Sequence, residues 1–218
     1  MSERWKQYFK DKIGEEAMLR YAFEYWNFRH PVYVYLQRYL PAPGKIIDIG
    51  CGMGLSGIFL ESLGYSYMGI DNEPDIIEQA KEVREYFHGS TQLEVADAFD
   101  LSGYRGYQGA ISFGVIEHFE REQTVELLRQ QGLASEFVLA EIPTRWSGDP
   151  ITDERLYSMR GFAKMFDEAG LTPVKKFTLG VPNGSFYLRK LLPPAIYHPL
   201  ADAVGYAPGI AILGKRTR

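Results

Sequence analysis

Residues 45–57 read "KIIDIGCGMGLSG": a β-branched run with an aspartate, Asp48, at its fourth place, then Gly50, Gly52, Gly54 and Gly57 within eight residues. Short apolar β-branched runs that end at glycine form buried strands. A carboxylate inside such a strand is costly unless a hydrogen bond or a cation answers it. A glycine-rich bend between a strand and a helix brings the backbone close to a ligand and offers the free N–H groups of the helix start. The stretch therefore predicts a strand, a ligand-holding turn and the helix "GLSGIFLESLG", which Gly64 stops.

Outward from this point, short strand patterns alternate with helical ones, the signature of β-α-β units in a parallel sheet. "YSYMGID" predicts a second strand, and "EPDIIEQAKEVREYF" a helix opened by Asn72 as cap with Pro74 in its first turn. "TQLEVADAF", "GAISFGVIEHF" and "SEFVLAEIP" give strands three to five, with the helical "REQTVELLRQQGL" between the last two. "SMRGFAKMFDEAGL" is an amphipathic helix, and "TPVKKFTLG" and "GIAILGKR" close the series as strands.

Two segments break the alternation. Residues 1–40 read as an aromatic-rich helical cap, two helices broken near Pro31, with Tyr21, Phe23, Tyr25, Trp26, Phe28, Tyr33, Tyr35 and Tyr39 crowded into nineteen residues. Such a stripe packs in many proteins, but its density also suits a lid over an apolar or aromatic ligand, or a protein contact. Residues 181–208 form an insertion with five prolines between the last two strands. The expected organisation is a cap at 1–40 and a Rossmann-like domain at 41–218.

The bulk numbers narrow the function. A chain of 218 residues with 45% hydrophobic and 24% charged residues is ordinary globular composition. A net charge of −4 without a dense Lys/Arg block gives no footprint for nucleic acid. Cys51 is the only cysteine, which excludes an internal disulfide and a cysteine-based metal site, and no metal ligand set is read. The charged start lacks the apolar core of a secretory signal and no run is long enough to span a membrane, so the expectation is a cytoplasmic protein. Composition leaves the oligomeric state open.

Two cofactor classes use a glycine-rich strand–helix turn. From Gly52, "GMGLSG" matches the dinucleotide pattern G-x-G-x-x-G. From Asp48, "DIGCGMG" matches D-x-G-x-G-x-G, which resembles motif I of the class I S-adenosylmethionine-dependent methyltransferases. Asp48 favours the second, since a pyrophosphate would repel it whereas the methionine ammonium would meet it. The dinucleotide pattern also begins two residues after the first glycine, and it leaves Asp97 in "VADAF" unexplained. Asp71, at the tip of the second strand, suits ribose hydroxyls in either class.

The resemblance extends from Lys45 to about Leu179 and takes in the closing strand; "SFGVIEHF" looks like motif IV of the small-molecule branch. It implies an α/β, doubly wound, seven-stranded, mostly parallel sheet in the order 3-2-1-4-5-7-6 with strand 7 antiparallel. It implies S-adenosyl-L-methionine as cofactor, held by Asp48, Gly50, Gly52, Gly54, Asp71 and Asn72. Asp97 and Ala98 would lie at the adenine, and Phe113 and Gly114 would offer backbone carbonyls to the ammonium. The acceptor would be a small molecule attacking through oxygen, nitrogen or carbon. His118, of the residue type that titrates near neutrality, is the candidate general base with Glu117 beside it, although the pair would equally cap the next helix. Glu141, Thr144, Arg145 and Trp146 are candidates for the acceptor pocket, Arg20 or Arg29 for the cofactor carboxylate, and Cys51 for packing. The alternatives are an NAD(P)-dependent oxidoreductase and a non-catalytic cofactor-binding subunit.

Overall fold

The computed structural model describes residues 15–147, 154–180 and 192–217. Its strands are β1 (Lys45–Ile49), β2 (Ser66–Asp71), β3 (Gln92–Val95), β4 (Tyr107–Phe113), β5 (Ser135–Pro143), β6 (Leu171–Leu179) and β7 (Gly209–Arg216). They form one sheet in the order β3-β2-β1-β4-β5-β7-β6, and β7 runs antiparallel to both β5 and β6. This is the expected doubly wound order. The helices are α1 (Glu15–Tyr39), α2 (Leu55–Ser62), α3 (Pro74–Tyr86), α4 (Arg121–Ala134), α5 (Met159–Glu168) and α6 (Pro194–Val204). The chain divides into two compact units, Met1–Asp100 and Leu101–Arg218.

In the first unit, β1 is parallel to β2, with Asp48 opposite Gly69, and β2 is parallel to β3. Ile46, Ile47, Ile49 and Ile70 are buried, so β1 is covered on both faces, as parallel strands require. α2 reaches this sheet by close approach at Gly57. A Cβ there would stand 2.5 Å from Thr91 Cγ2 and 2.7 Å from the Tyr67 ring. Gly57→Ala is accordingly expected to cost about 1–3 kcal/mol, measured by denaturant unfolding, because the methyl forces a packed layer apart.

α1 differs from the sequence expectation: one helix runs through Pro31 without the expected break. Proline removes the N–H that would bond the carbonyl four residues back, here that of Asn27. His30 supplies the missing donor, its Nδ1 lying 3.0 Å from the Asn27 carbonyl oxygen. Val32, Tyr33, Leu36 and Leu40 are fully buried. Nearer the helix start, Met18 and Ala22 pack with Met53, Leu55 and Val83. A deletion through residue 40 would strip part of this core, so it tests folding before it tests a lid.

In the second unit, β4 is parallel to β5, and β5, β7 and β6 complete the strands. α5 begins at Ser158, whose hydroxyl accepts the Gly161 N–H, and buries Phe162 and Phe166. α6 lies within the segment read as an insertion, where no helix was expected; it contains Pro199 and ends at Gly205, which has φ +65°. Asp202 Oδ1 ties α6 to β6 by accepting the Thr178 N–H and hydroxyl at 2.8 and 2.6 Å. Residues 181–191 of the proposed insertion lie outside the described residues.

Candidate functional site

The turn after β1 is built from the three glycines of the D-x-G-x-G-x-G pattern. Gly50, Gly52 and Gly54 have φ of +71°, +53° and +71°, the left-handed region where a side chain is strained. At Gly54 a Cβ would find only ordinary contacts, Leu93 and Ala80 at 3.5 and 3.6 Å, so conformation and not space demands the glycine there. The bend is closed by Gly50 and Cys51 N–H groups donating to the Ile70 carbonyl at 2.8 and 2.9 Å.

Asp71, at the end of β2, organises the same turn. Its Oδ2 accepts the Gly52 N–H at 3.3 Å and its Oδ1 the Glu73 N–H at 3.2 Å. Burial raises its pKa, and the backbone donors of Glu73 and Gly52 hold it back. Asn72 is exposed and does not cap the next helix. The cap position belongs to Glu73, with Pro74 at the first helical place and no side-chain cap bond. The helix starts one residue later than that pattern implies, and Pro74 in its first turn has no N–H for a cap at residue 72 to hold.

Asp48 is 1% exposed. Tyr67 donates its hydroxyl to Oδ2 at 2.8 Å, while Oδ1 has no hydrogen-bond partner. Burial raises its pKa to about 7, opposed by Tyr67, the Ser56 hydroxyl and the Arg29 guanidinium, and reinforced by Asp71. This is a strand carboxyl with one donor and an unanswered oxygen, and a cationic ligand group would supply what it lacks. Ser56 is buried and shares a 2.6 Å hydrogen bond with Tyr25 of α1. Tyr25, Trp26 and Tyr33 also pack against Phe59 of α2, with ring centroids 6.3, 4.7 and 5.9 Å away. The Arg29 guanidinium lies over the Tyr25 ring at 4.3 Å. No local sequence signal marks Tyr25, Ser56 and Tyr67 as neighbours of Asp48, since the pairings join residues far apart in the chain. Cys51 is buried and its thiol is pushed up by burial, which fits packing and not nucleophilic chemistry.

Asp97 stands exposed after β3, its Oδ1 accepting the Phe99 N–H at 2.9 Å, with Ala98 in the same turn. Arg20 pairs with Glu24 at the surface.

In the second unit, Phe113 ends β4 and Gly114 follows at φ +70°, its N–H donating to the Glu141 carbonyl. Glu117 and His118 sit in a 3-10 turn at Ile116–His118. They do not cap α4, which opens on a capping box formed by Glu120 and Gln123. Glu117 is buried, and its Oε1 lies 4.0 Å from His118 Nε2. The Arg155 N–H donates to the Glu117 carbonyl and its guanidinium to that of His118, at 2.9 and 3.2 Å, which ties residue 154 to this turn. Glu154, absent from the sequence candidates, joins Glu117 and His118 so that one donor atom from each lies within 4.8 Å of the others. Among the described residues this set could share a metal ion. Glu141 and Thr144 are buried at the end of β5. Arg145 lies over the Trp146 ring at 4.7 Å, and Trp146 meets Tyr206 edge-on at 4.8 Å. No helix among the described residues is long and apolar enough to cross a membrane.

Comparison with known proteins accords with this geometry. Residues 46–132 match the family model described as a methyltransferase domain. A 2-heptyl-1-hydroxyquinolin-4(1H)-one methyltransferase of Mycobacteroides abscessus is 30% identical over 101 residues, 46% of this chain and 42% of that protein. The match spans less than half the length of the curated relatives. Among solved structures, an S-adenosylmethionine-dependent methyltransferase from Clostridium acetobutylicum aligns at TM-score 0.68 with 11% identity, covering 97% of this chain and 98% of that one. Magnesium protoporphyrin IX methyltransferase from Synechocystis PCC 6803, with bound SAH, aligns at 0.64 with 18% identity, covering 86% and 81%.

Proposed function

We propose that this chain, which carries a methyltransferase domain at residues 46–132 on the class I fold, moves a methyl group from S-adenosyl-L-methionine to a small-molecule acceptor. The observation that carries the reading is the buried Asp48 carboxyl, whose Oδ1 is unanswered beside a turn of three left-handed glycines. That arrangement suits a ligand with a cationic end and disfavours a pyrophosphate. When bound, the cofactor supplies a methyl already activated on a sulfonium.

The chain's own residues hold and orient. Asp48 faces the ammonium, the backbone of Gly50, Gly52 and Gly54 makes room for the amino-acid part, and Asp71 takes the ribose hydroxyls with Asn72 beside it. Asp97 and Ala98 meet the adenine. Phe113 and Gly114 direct carbonyls to the ammonium, and His118 removes the acceptor's proton. The Glu117 carboxylate, 4.0 Å from His118, favours the imidazolium formed in that step. Position is the larger part of catalysis here, because bringing acceptor and methyl in line at about 3–3.5 Å replaces a bimolecular encounter. The acceptor proposed is apolar or aromatic, a reading supported by the quinolone named for the Mycobacteroides relative and by the exposed Trp146. The domain reading, a cap at 1–40 and a methyltransferase domain at 41–218, is part of the same proposal, with neither nucleic acid nor membrane as partner.

Calorimetry with S-adenosylhomocysteine and with NAD(P) tests the cofactor. Binding of the former and none of the latter is expected; the reverse overturns the proposal in favour of an oxidoreductase. Incubation with methyl-labelled cofactor and a panel of phenols, hydroxyquinolones and carboxylates then separates an enzyme from a binding subunit, which would transfer no label.

A further inference from the structure

We propose that the outward face of α1 joins a second copy of this chain, the two helices lying antiparallel about a two-fold axis at Asn27. The inference goes beyond the proposed function and does not depend on it.

One face of α1 is spent on the fold, where Met18, Ala22, Val32, Tyr33 and Leu36 are buried. The other carries Leu19, Phe23, Asn27, His30 and Val34, all exposed and three or four residues apart, so that they share one stripe. Leu19, Phe23 and Val34 leave 50%, 70% and 57% of their surface in water. Single exposed apolar residues are ordinary, but several aligned along one helix mark a contact.

The charges along the stripe identify what covers it. Glu16 is exposed near the start of α1, and Arg38 is exposed in its last turn. Between them Arg20 and Glu24 serve each other at 3.1 Å. The two ends therefore carry opposite signs. A parallel copy would set Glu16 against Glu16 and Arg38 against Arg38, whereas an antiparallel copy sets each Glu16 against an Arg38. Exposed pairs of this kind fix orientation more than affinity. These four charges sum to zero, so the stripe has no electrostatic hold on an anionic lipid surface.

Placing Glu16 opposite Arg38 also fixes the register. Asn27 falls on the axis and faces its own copy, where each side-chain amide can donate to the other. Val34 of one helix enters between Leu19 and Phe23 of the other. An asparagine at the centre of such a seam selects one register and orientation. His30 brings no unserved nitrogen at Nδ1, which already meets the Asn27 carbonyl of its own helix. The seam runs about 22 Å from Leu19 to Val34. One helix seam is small beside the roughly 800 Å² per partner of a stable interface, so the association is reversible.

Sedimentation equilibrium of the full chain across the micromolar range tests this. The average mass is expected to rise with concentration from one chain to two. Phe23→Asp, shown folded by near-ultraviolet circular dichroism, should raise the dissociation constant at least about tenfold. Glu16→Arg and Arg38→Glu should each weaken the dimer about threefold, and the two together should restore it. Cys51, the only cysteine, is buried, so cross-linking through a new thiol has little background. Oxidised with copper phenanthroline, Asn27→Cys should cross-link to its own copy, while Gln37→Cys, far from the axis, should not. A chain that stays monomeric at every concentration overturns the proposal, and its binding to anionic vesicles would assign the face to lipid. A dimer that ignores Phe23→Asp and fails to cross-link through Asn27→Cys places the contact elsewhere and overturns it equally. None of these readouts involves the cofactor, so the methyltransferase reading stands or falls separately.

Discussion

Asp48→Asn is expected to remove the contribution of one carboxyl, a fall in stability of about 4 kcal/mol expected of the natural chain between pH 4 and pH 8. The carboxyl is raised from its ordinary 3.8 to about 7 in the fold, chiefly by burial. Between those values the folded state keeps its proton while the unfolded chain has lost it. The folded state therefore binds more protons, and unfolding becomes easier as pH rises. The contribution is fully present below pH 3.8 and lost once pH passes 7. Asparagine has no proton to lose, so the difference in unfolding free energy between the two proteins isolates this group from the other carboxylates. The variant's absolute stability is a separate matter, since its amide N–H groups would enter a site that offers Oδ1 no partner. Urea unfolding at half-unit pH steps measures the difference. A constant difference across the range would mean that Asp48 is ionised throughout, and the case for a carboxyl awaiting a cation would fall.

That a natural strand keeps such a group is the feature the sequence announces most clearly. Alternation of β-branched runs with helical spacing located all seven strands, most plainly where strands such as β1 and β4 are covered on both faces and carry a continuous apolar run. The glycines were legible for a related reason, as their backbone angles admit little else. What failed to show was whatever depends on one distant or unusual partner. Pro31 reads as a break until His30 is seen donating to the carbonyl that proline leaves unserved. Asn72 reads as a cap, but the helix begins at Pro74 with Glu73 in the cap place, and the proline leaves no N–H for residue 72 to hold. The surroundings of Asp48 come from α1, α2 and β2, joined by pairs 31 and 19 residues apart. Glu154 reaches Glu117 and His118 because Arg155 fastens that segment. None of these contacts leaves a periodic trace. Pattern reports which surface an element buries, not which polar atom it finds there.

Asp71→Ala is expected to weaken S-adenosylhomocysteine binding by at least about a hundredfold while the chain remains folded. The carboxylate serves two ends of one turn, accepting from Gly52 and from Glu73. Charge-assisted bonds of this kind contribute about 1.5–3 kcal/mol each, so losing both releases the bend that must be fixed before a ligand arrives. Its proposed bonds to the ribose hydroxyls vanish with them. Asp71→Asn separates the two contributions, because one amide oxygen can still receive a backbone N–H but the negative charge is gone. An intermediate loss, about tenfold, is expected for asparagine. Near-ultraviolet circular dichroism and unfolding midpoints establish the fold, since Asp71 is only partly buried and caps no helix. If alanine and asparagine both bind as the natural chain does, Asp71 serves the loop without serving the ligand, and the ribose assignment must move to another residue.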